Sequence, residues 1–285
     1  MRSLFFVLVL CIHAKVLAQS TLDSLPIQTY TYDTAHDLKI YGVKPPNFET
    51  SGNYTAVLVF HGGGWSIGEA SWGFSTVQHY AKKGMVAFSV QYRLENTEKG
   101  FTPYEAVLDA QKAMRWVREH ADEFAIDPDK IAAYGWSAGA HLAACAAVFE
   151  NLGAPRAEYS SAPNLLLLKS PAVSLMGYSD FPRRLGDKIS VVDLSPAEQI
   201  HDKTPPTLIV IGRTDTVTPL AQSERYQNNM EALGRECELI VYDGVGHLFT
   251  PATEPDNDWP NPDPKIRQAA QDAMDAFLVK HGYLR

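Results

Sequence analysis

Cysteine is scarce, with three in 285 residues, and this excludes a small scaffold built on disulfides. Cys145 falls in an alanine-rich stretch and Cys237 opens an apolar one, so both are expected to be packed thiols rather than a bonded pair. No run of apolar residues is long enough for a membrane span: Leu4 to Ile12 is nine residues, where a bilayer needs about 20. Basic runs are absent as well. With 25 Lys and Arg against 33 Asp and Glu, the net charge is −8, which argues against nucleic acid or an anionic membrane as partner. No two histidines stand at H-x-x-x-H spacing, so no catalytic metal is expected; no other cofactor is expected either. Internal repeats and low-complexity tracts are missing too.

The N-terminus has the three parts of a secretory signal. Arg2 supplies the charge, Leu4 to Ile12 the short apolar core, and Val16-Leu17-Ala18 a small-residue cleavage site. Cleavage after Ala18 would deliver a secreted or periplasmic protein and remove Arg2 and Lys15 but no acid, taking the net charge to −10. Residues 19–285 are then expected to form one domain.

What remains is an α/β pattern. Ile27 to Asp33 and Leu38 to Val43 alternate and flank a turn at Ala35-His36-Asp37, predicting an antiparallel hairpin. Apolar strands are predicted at Val57–Phe60, Val86–Val90, Ile131–Tyr134, Leu165–Leu168, Leu208–Ile211 and Leu239–Val241. Helices are predicted from Trp72 to Lys82, from Pro103, from Ala138 to Val148, from Leu220 to Leu233 and from Ile266 to His281. Such alternation argues for a mostly parallel sheet with helices on both faces. Residues 174–201 either form a small cap or are ordinary connecting helices.

Gly135-Trp136-Ser137-Ala138-Gly139 sits between an apolar strand and a helix, the setting of a nucleophile elbow. Its sharp turn would lift the Ser137 hydroxyl above the sheet, and a Cβ at Gly135 or Gly139 would crowd the packing beneath. His61-Gly62-Gly63-Gly64-Trp65 directly follows the first parallel strand. Its bare backbone assigns an oxyanion hole to the N–H groups of Gly63 and Gly64, together with that of Ala138. A serine nucleophile needs a base and an orienting carboxylate. His247 follows a late strand in a glycine-rich loop, and Asp215 follows the strand before it, both at carboxyl ends where ligands bind in such sheets. Asp243 is the rival acid, but it directly ends a strand and suits a turn. His61 is expected to order the glycine loop, His141 to pack in the elbow helix, and His79, His120 and His201 to lie at the surface. Trp65 and Trp259 are the aromatic candidates for substrate contact, with Tyr92 bordering the site and Trp136 filling space beneath the loops.

These motifs resemble those of α/β-hydrolase-fold esterases, in particular the hormone-sensitive-lipase-like branch and the bacterial feruloyl and acetyl (xylan) esterase group. The likeness extends to Ala140-His141-Leu142-Ala143, Ser170-Pro171, Leu194-Ser195-Pro196 and Thr204-Pro205-Pro206-Thr207. The order Ser137, Asp215, His247 is also that of the fold. The resemblance implies a serine carboxylester hydrolase acting through an acyl-enzyme on short-acyl or feruloyl esters, with a small-molecule or polysaccharide substrate. Hydrolysis of small amides or peptides is the alternative, and a non-catalytic binding module a distant third. One departure stands out: Thr250 to Pro264 form a Pro- and Asp-rich insertion after His247.

Overall fold

The structure, a computed structural model, describes residues 24–149, 152–153, 157–256 and 259–285; the expected signal segment lies outside them. Eight strands make one sheet: β1 (Ile27–Asp33), β2 (Leu38–Val43), β3 (Tyr54–Phe60), β4 (Val86–Val90), β5 (Ile126–Trp136), β6 (Leu165–Lys169), β7 (Thr207–Gly212) and β8 (Cys237–Tyr242). Their spatial order is β1-β2-β4-β3-β5-β6-β7-β8. β1 and β2 are antiparallel, as are β2 and β4, and every later pairing is parallel. The sheet is thus an α/β-hydrolase sheet with a hairpin at one edge.

Helices α1 (Phe74–Lys82) and α6 (Pro264–Lys280) cover one face. The other face holds α2 (Pro103–Glu119), α3 (Ala138–Val148), the short α4 (Phe181–Leu185) and α5 (Leu220–Ala232). Alternation along β3 feeds both cores: Val57 and Val59 pack toward α1, Ala56, Leu58 and Phe60 toward the opposite face. Each wholly buried Phe or Leu contributes about 2 kcal/mol of apolar transfer. α2 begins with Pro103 behind a reciprocal Thr102–Glu105 cap, as its sequence directs.

Two boundaries differ from expectation. β5 starts at Ile126, because its pairing with β3 shifts between Tyr54–Ile126 and Ala56–Ile131, and the polar residues Asp127 to Lys130 disguise the join. α1 starts at Phe74, since Ala70–Gly73 forms a separate 3₁₀ turn. Residues 174–201 are no separate lid. Leu175, Phe181, Leu185, Leu194 and Ala197 are all buried in the core beside α3. Among the described residues no helix is long and apolar enough to cross a membrane.

Candidate active site

Parallel pairing aligns the carboxyl ends of β3, β5, β6, β7 and β8 along one edge of the sheet. Between β5 and α3 the chain turns at Ser137, whose φ of 52° and ψ of −122° lie where a side-chain-bearing residue is strained. The surroundings hold it there. Its N–H donates to Lys169 O at 3.0 Å, and its carbonyl accepts from Ala140 and His141 at 3.1 and 3.2 Å. A Cβ on Gly139 would lie 2.1 Å from Phe60 O, and one on Gly135 2.3 Å from Gly139 O. Strand and helix therefore meet at this turn only through glycine.

His247, on the loop after β8, places Nε2 3.1 Å from Ser137 Oγ. Its Nδ1 lies 3.1 and 3.0 Å from the two carboxylate oxygens of Asp215, on the loop after β7. A carboxylate only accepts, so Nδ1 carries the proton and Nε2 faces the serine as a base. Asp215 is itself fixed by Val217 N–H (3.0 Å), Thr218 N–H (2.7 Å) and Thr218 Oγ1 (2.8 Å). Asp243 instead faces solvent, paired with Arg213.

A second carboxylate fastens the two loops together. Asp256, in the insertion after His247, accepts from His247 N–H at 2.7 Å through Oδ1. Through Oδ2 it accepts from Thr216 N–H and Oγ1 at 2.8 and 2.9 Å. Gly246 makes room for it, since a Cβ there would lie 2.3 Å from Asp256 Oδ1. The sequence offers no sign of Asp256 beyond an acidic residue in a loop.

In the glycine loop, each candidate N–H shares a peptide plane with a carbonyl that is already tied. The Gly62 carbonyl lies 2.7 Å from His61 Nδ1, and the Gly63 carbonyl accepts from Ser66 and Ile67 at 3.1 and 3.0 Å. Planar trans peptides then turn the N–H groups of Gly63 and Gly64 the opposite way, and both residues border the cavity over Ser137. Among the described residues, those two N–H groups and that of Ala138 donate to no protein group. His61 stacks on Tyr92 with ring centroids 4.3 Å apart, and burial lowers its pKa to about 4, so it orders the loop as a neutral ring. Arg184 of α4 braces the loop from the other side, donating to Gly64 O at 2.6 Å and to Glu95 Oε2 at 2.6 Å.

A cavity of about 450 Å³ opens over Ser137, walled by Ile67, Trp72, Trp136, Leu248, Trp259 and Pro260 among others. Trp65 is not among its walls. At φ 62° its indole turns into the core, 4% exposed, against His141, Phe181 and the Arg184 guanidinium. That corrects the expectation that Trp65 meets substrate: an aromatic residue after a glycine loop points wherever its backbone dihedral sends it. Trp136 shows the reverse correction, since it lines the cavity rather than filling space beneath it. Trp259 is 72% exposed and meets Trp72 edge-on at 6.3 Å; Trp72, placed by the 3₁₀ turn, carries no motif that marks it. Tyr92 is buried behind His61. His141 is buried too, with Nε2 2.9 Å from Leu194 O. His79 is half-buried against Asp275, and His120 stacks on Trp116. Both Cys145 and Cys237 are free and buried. Among the described residues, no group of three or more His, Cys, Asp or Glu is placed to hold a metal ion.

Residues 43–183 match the BD-FAE family model. Esterase 2 of Thermogutta terrifontis, in its structure phosphoramylated by tabun, is 32% identical with a TM-score of 0.79, covering 90% of this chain and 96% of that one. The propionate-bound form of the same esterase gives 31% identity and a TM-score of 0.79, with 92% of this chain and 96% of that one covered. A probable carboxylic ester hydrolase of Mycobacterium tuberculosis, LipM, is 25% identical over 74% of this chain and 52% of its own length. An acetylxylan esterase of Xylanibacter ruminicola is 25% identical over 68% of this chain and 41% of its own length. The chain spans about half the length of the curated relatives it matches. A strand-elbow-helix under a glycine loop, on a sheet that superposes along nearly the whole of a known esterase, places this chain in the BD-FAE group of α/β-hydrolase-fold esterases.

Proposed function

We propose that the protein is an exported serine esterase that removes acetyl, other short acyl or feruloyl groups from carbohydrate. The observation that carries the chemistry is the continuous hydrogen-bonded series from Ser137 Oγ through His247 to Asp215. Ser137 attacks the ester carbonyl while His247 takes its proton, and Asp215 orients and stabilises the imidazolium. The N–H groups of Gly63, Gly64 and Ala138 receive the oxyanion. His247 then protonates the leaving alcohol, and water releases the acid from Ser137 by the same steps in reverse roles. Short acyl groups are supported by the propionate and butyrate found in the Thermogutta esterase, and a carbohydrate alcohol by the acetylxylan esterase relative. The open aromatic rim of Trp72, Trp136 and Trp259 suits a sugar or phenolic ring.

The test is acid release from acetylated xylan and methyl ferulate beside p-nitrophenyl acetate, butyrate and decanoate. Ser137→Ala should lower kcat by about 10⁴-fold or more on every substrate cleaved, with an unchanged melting temperature. Normal turnover by that variant overturns the mechanism. Decanoate as the best substrate overturns the carbohydrate assignment.

A further inference from the structure

The catalytic cavity does not end at Trp136. Trp72, Trp136, Leu248 and Pro260 are walls common to it and to a second cleft of about 500 Å³ between β6, α1 and α6. The charge of this cleft runs against that of the chain. In a protein of net charge −8, its described lining includes Lys169, Arg267 and His79 and no acidic residue. Register places Lys169 beside Trp136, with its ammonium 5.8 Å from the indole centroid, while Arg267 stands on the first turns of α6.

The carboxylates of α6 are occupied elsewhere. Asp263 caps the helix through Lys265 and Ile266 N–H, Asp272 accepts from Gln268, and Asp275 pairs with His79 and Lys83. His79 is thereby matched, whereas Lys169 and Arg267 form no ion pair among the described residues. Two cations with no ion pair among the described residues, one of them facing the Trp136 indole, line a cleft joined to the cavity over Ser137, a setting suited to an anionic ring.

The side of the ester that enters follows from the proton. His247 Nε2 must reach the leaving oxygen, so the alcohol component lies on the His247 side, and Leu248, the next residue, is one of the four walls common to both spaces. We propose that the second cleft is an alcohol-side subsite for a sugar acid, with the ring against Trp136 and Trp72 and its carboxylate between Lys169 and Arg267. The preferred substrate is then an acylated uronic acid unit. The proposal rests on the carbohydrate esterase reading above and narrows it.

The experiment compares kcat/KM for the acetyl ester of methyl glucuronide with that of methyl glucoside acylated at the same hydroxyl. Two half-exposed cations should favour the uronate by about tenfold at low salt, an advantage that shrinks toward parity at about 0.5 M NaCl. In the double variant Lys169→Gln/Arg267→Gln the ratio should fall to about one. Because the ratio is read within one variant, a general loss of activity does not imitate the result. Parity in the wild type, or a preference that survives in the double variant, overturns the proposal. If neither sugar ester is cleaved but p-nitrophenyl acetate is, the carbohydrate reading has failed and the cleft is judged by inhibition of that hydrolysis. Methyl glucuronide inhibiting at lower concentration than methyl glucoside, in wild type only, upholds the subsite. Equal inhibition by the two overturns it.

Discussion

Replacing Asp256 by alanine tests whether the insertion after His247 is part of the machinery. The carboxylate accepts three hydrogen bonds, one from the backbone of His247 and two from Thr216, which neighbours Asp215. Charge-assisted bonds are worth about 1.5–3 kcal/mol each when well shielded. Asp256 is only half-buried, and water can take over part of each bond, so the net loss should be about 2–3 kcal/mol for all three together. If that energy holds His247 in line with Ser137, kcat/KM should fall about 30- to 160-fold, with most of the change in kcat. Asp256→Asn keeps an acceptor for His247 N–H or Thr216 N–H and should recover much of the loss. The assay is steady-state hydrolysis of p-nitrophenyl acetate, alongside the rate of inactivation by paraoxon, the reagent that phosphorylates the Thermogutta esterase. Both should slow together, because each needs His247 to take the serine proton. An alanine variant within twofold of wild type in both rates would refute the argument. So would equal losses in the alanine and asparagine variants.

Three other outcomes follow from the geometry. Asp215→Asn should cost about 10⁴-fold in kcat, since it allows the wrong imidazole tautomer, while Asp243→Asn on the surface should leave turnover unchanged; a reversal in assay would exchange the two roles. Gly139→Ala should destabilise by about 3 kcal/mol or more in urea unfolding, because its Cβ would meet Phe60 O at 2.1 Å, whereas Gly177→Ala, with only Gln222 Nε2 at 3.5 Å, should be neutral. Burial lowers the pKa of His61 and of His141 to about 4, so the unfolded chain binds more protons than the native one between about pH 6.5 and 4. The stability these neutral rings contribute is complete above that window and drains as pH falls through it, by up to about 3 kcal/mol each. Melting temperatures measured from pH 7 to 4.5 should therefore drop, and less steeply for His141→Gln.

The parts legible in the sequence are those governed by local rules. Ala56 to Phe60, Leu165 to Leu168 and Leu208 to Ile211 are buried on both faces, and such strands read as unbroken apolar runs. Ser137 stands out because strand, turn and helix around it are contiguous, and Asp215 and His247 because each lies on the loop that follows a strand. What stayed hidden are contacts between loops distant in sequence. Arg184 reaches Gly64 across 120 positions, Thr218 meets Ser170 across 48, and Asp256 binds Thr216 across 40. No periodicity announces such pairs. Trp65 and Trp136 exchange roles for a related reason: type and position are printed in a sequence, but whether an indole faces core or cavity depends on backbone and side-chain torsions that it does not print.

The placement of His247 has a consequence for how the protein comes into being. The turn that holds Ser137 needs only β3, β5, α3 and β6, yet His247, the proposed base, arrives on the loop after the last strand. Asp256, which holds that loop, comes later still, and α6 must then fold back along the sheet beside Tyr80 and Tyr134. A nascent or partly refolded chain can therefore own a finished elbow and glycine loop and still be chemically silent. If His247 acts as proposed, activity is a late reporter of maturation, and a deletion that removes its loop should silence the enzyme.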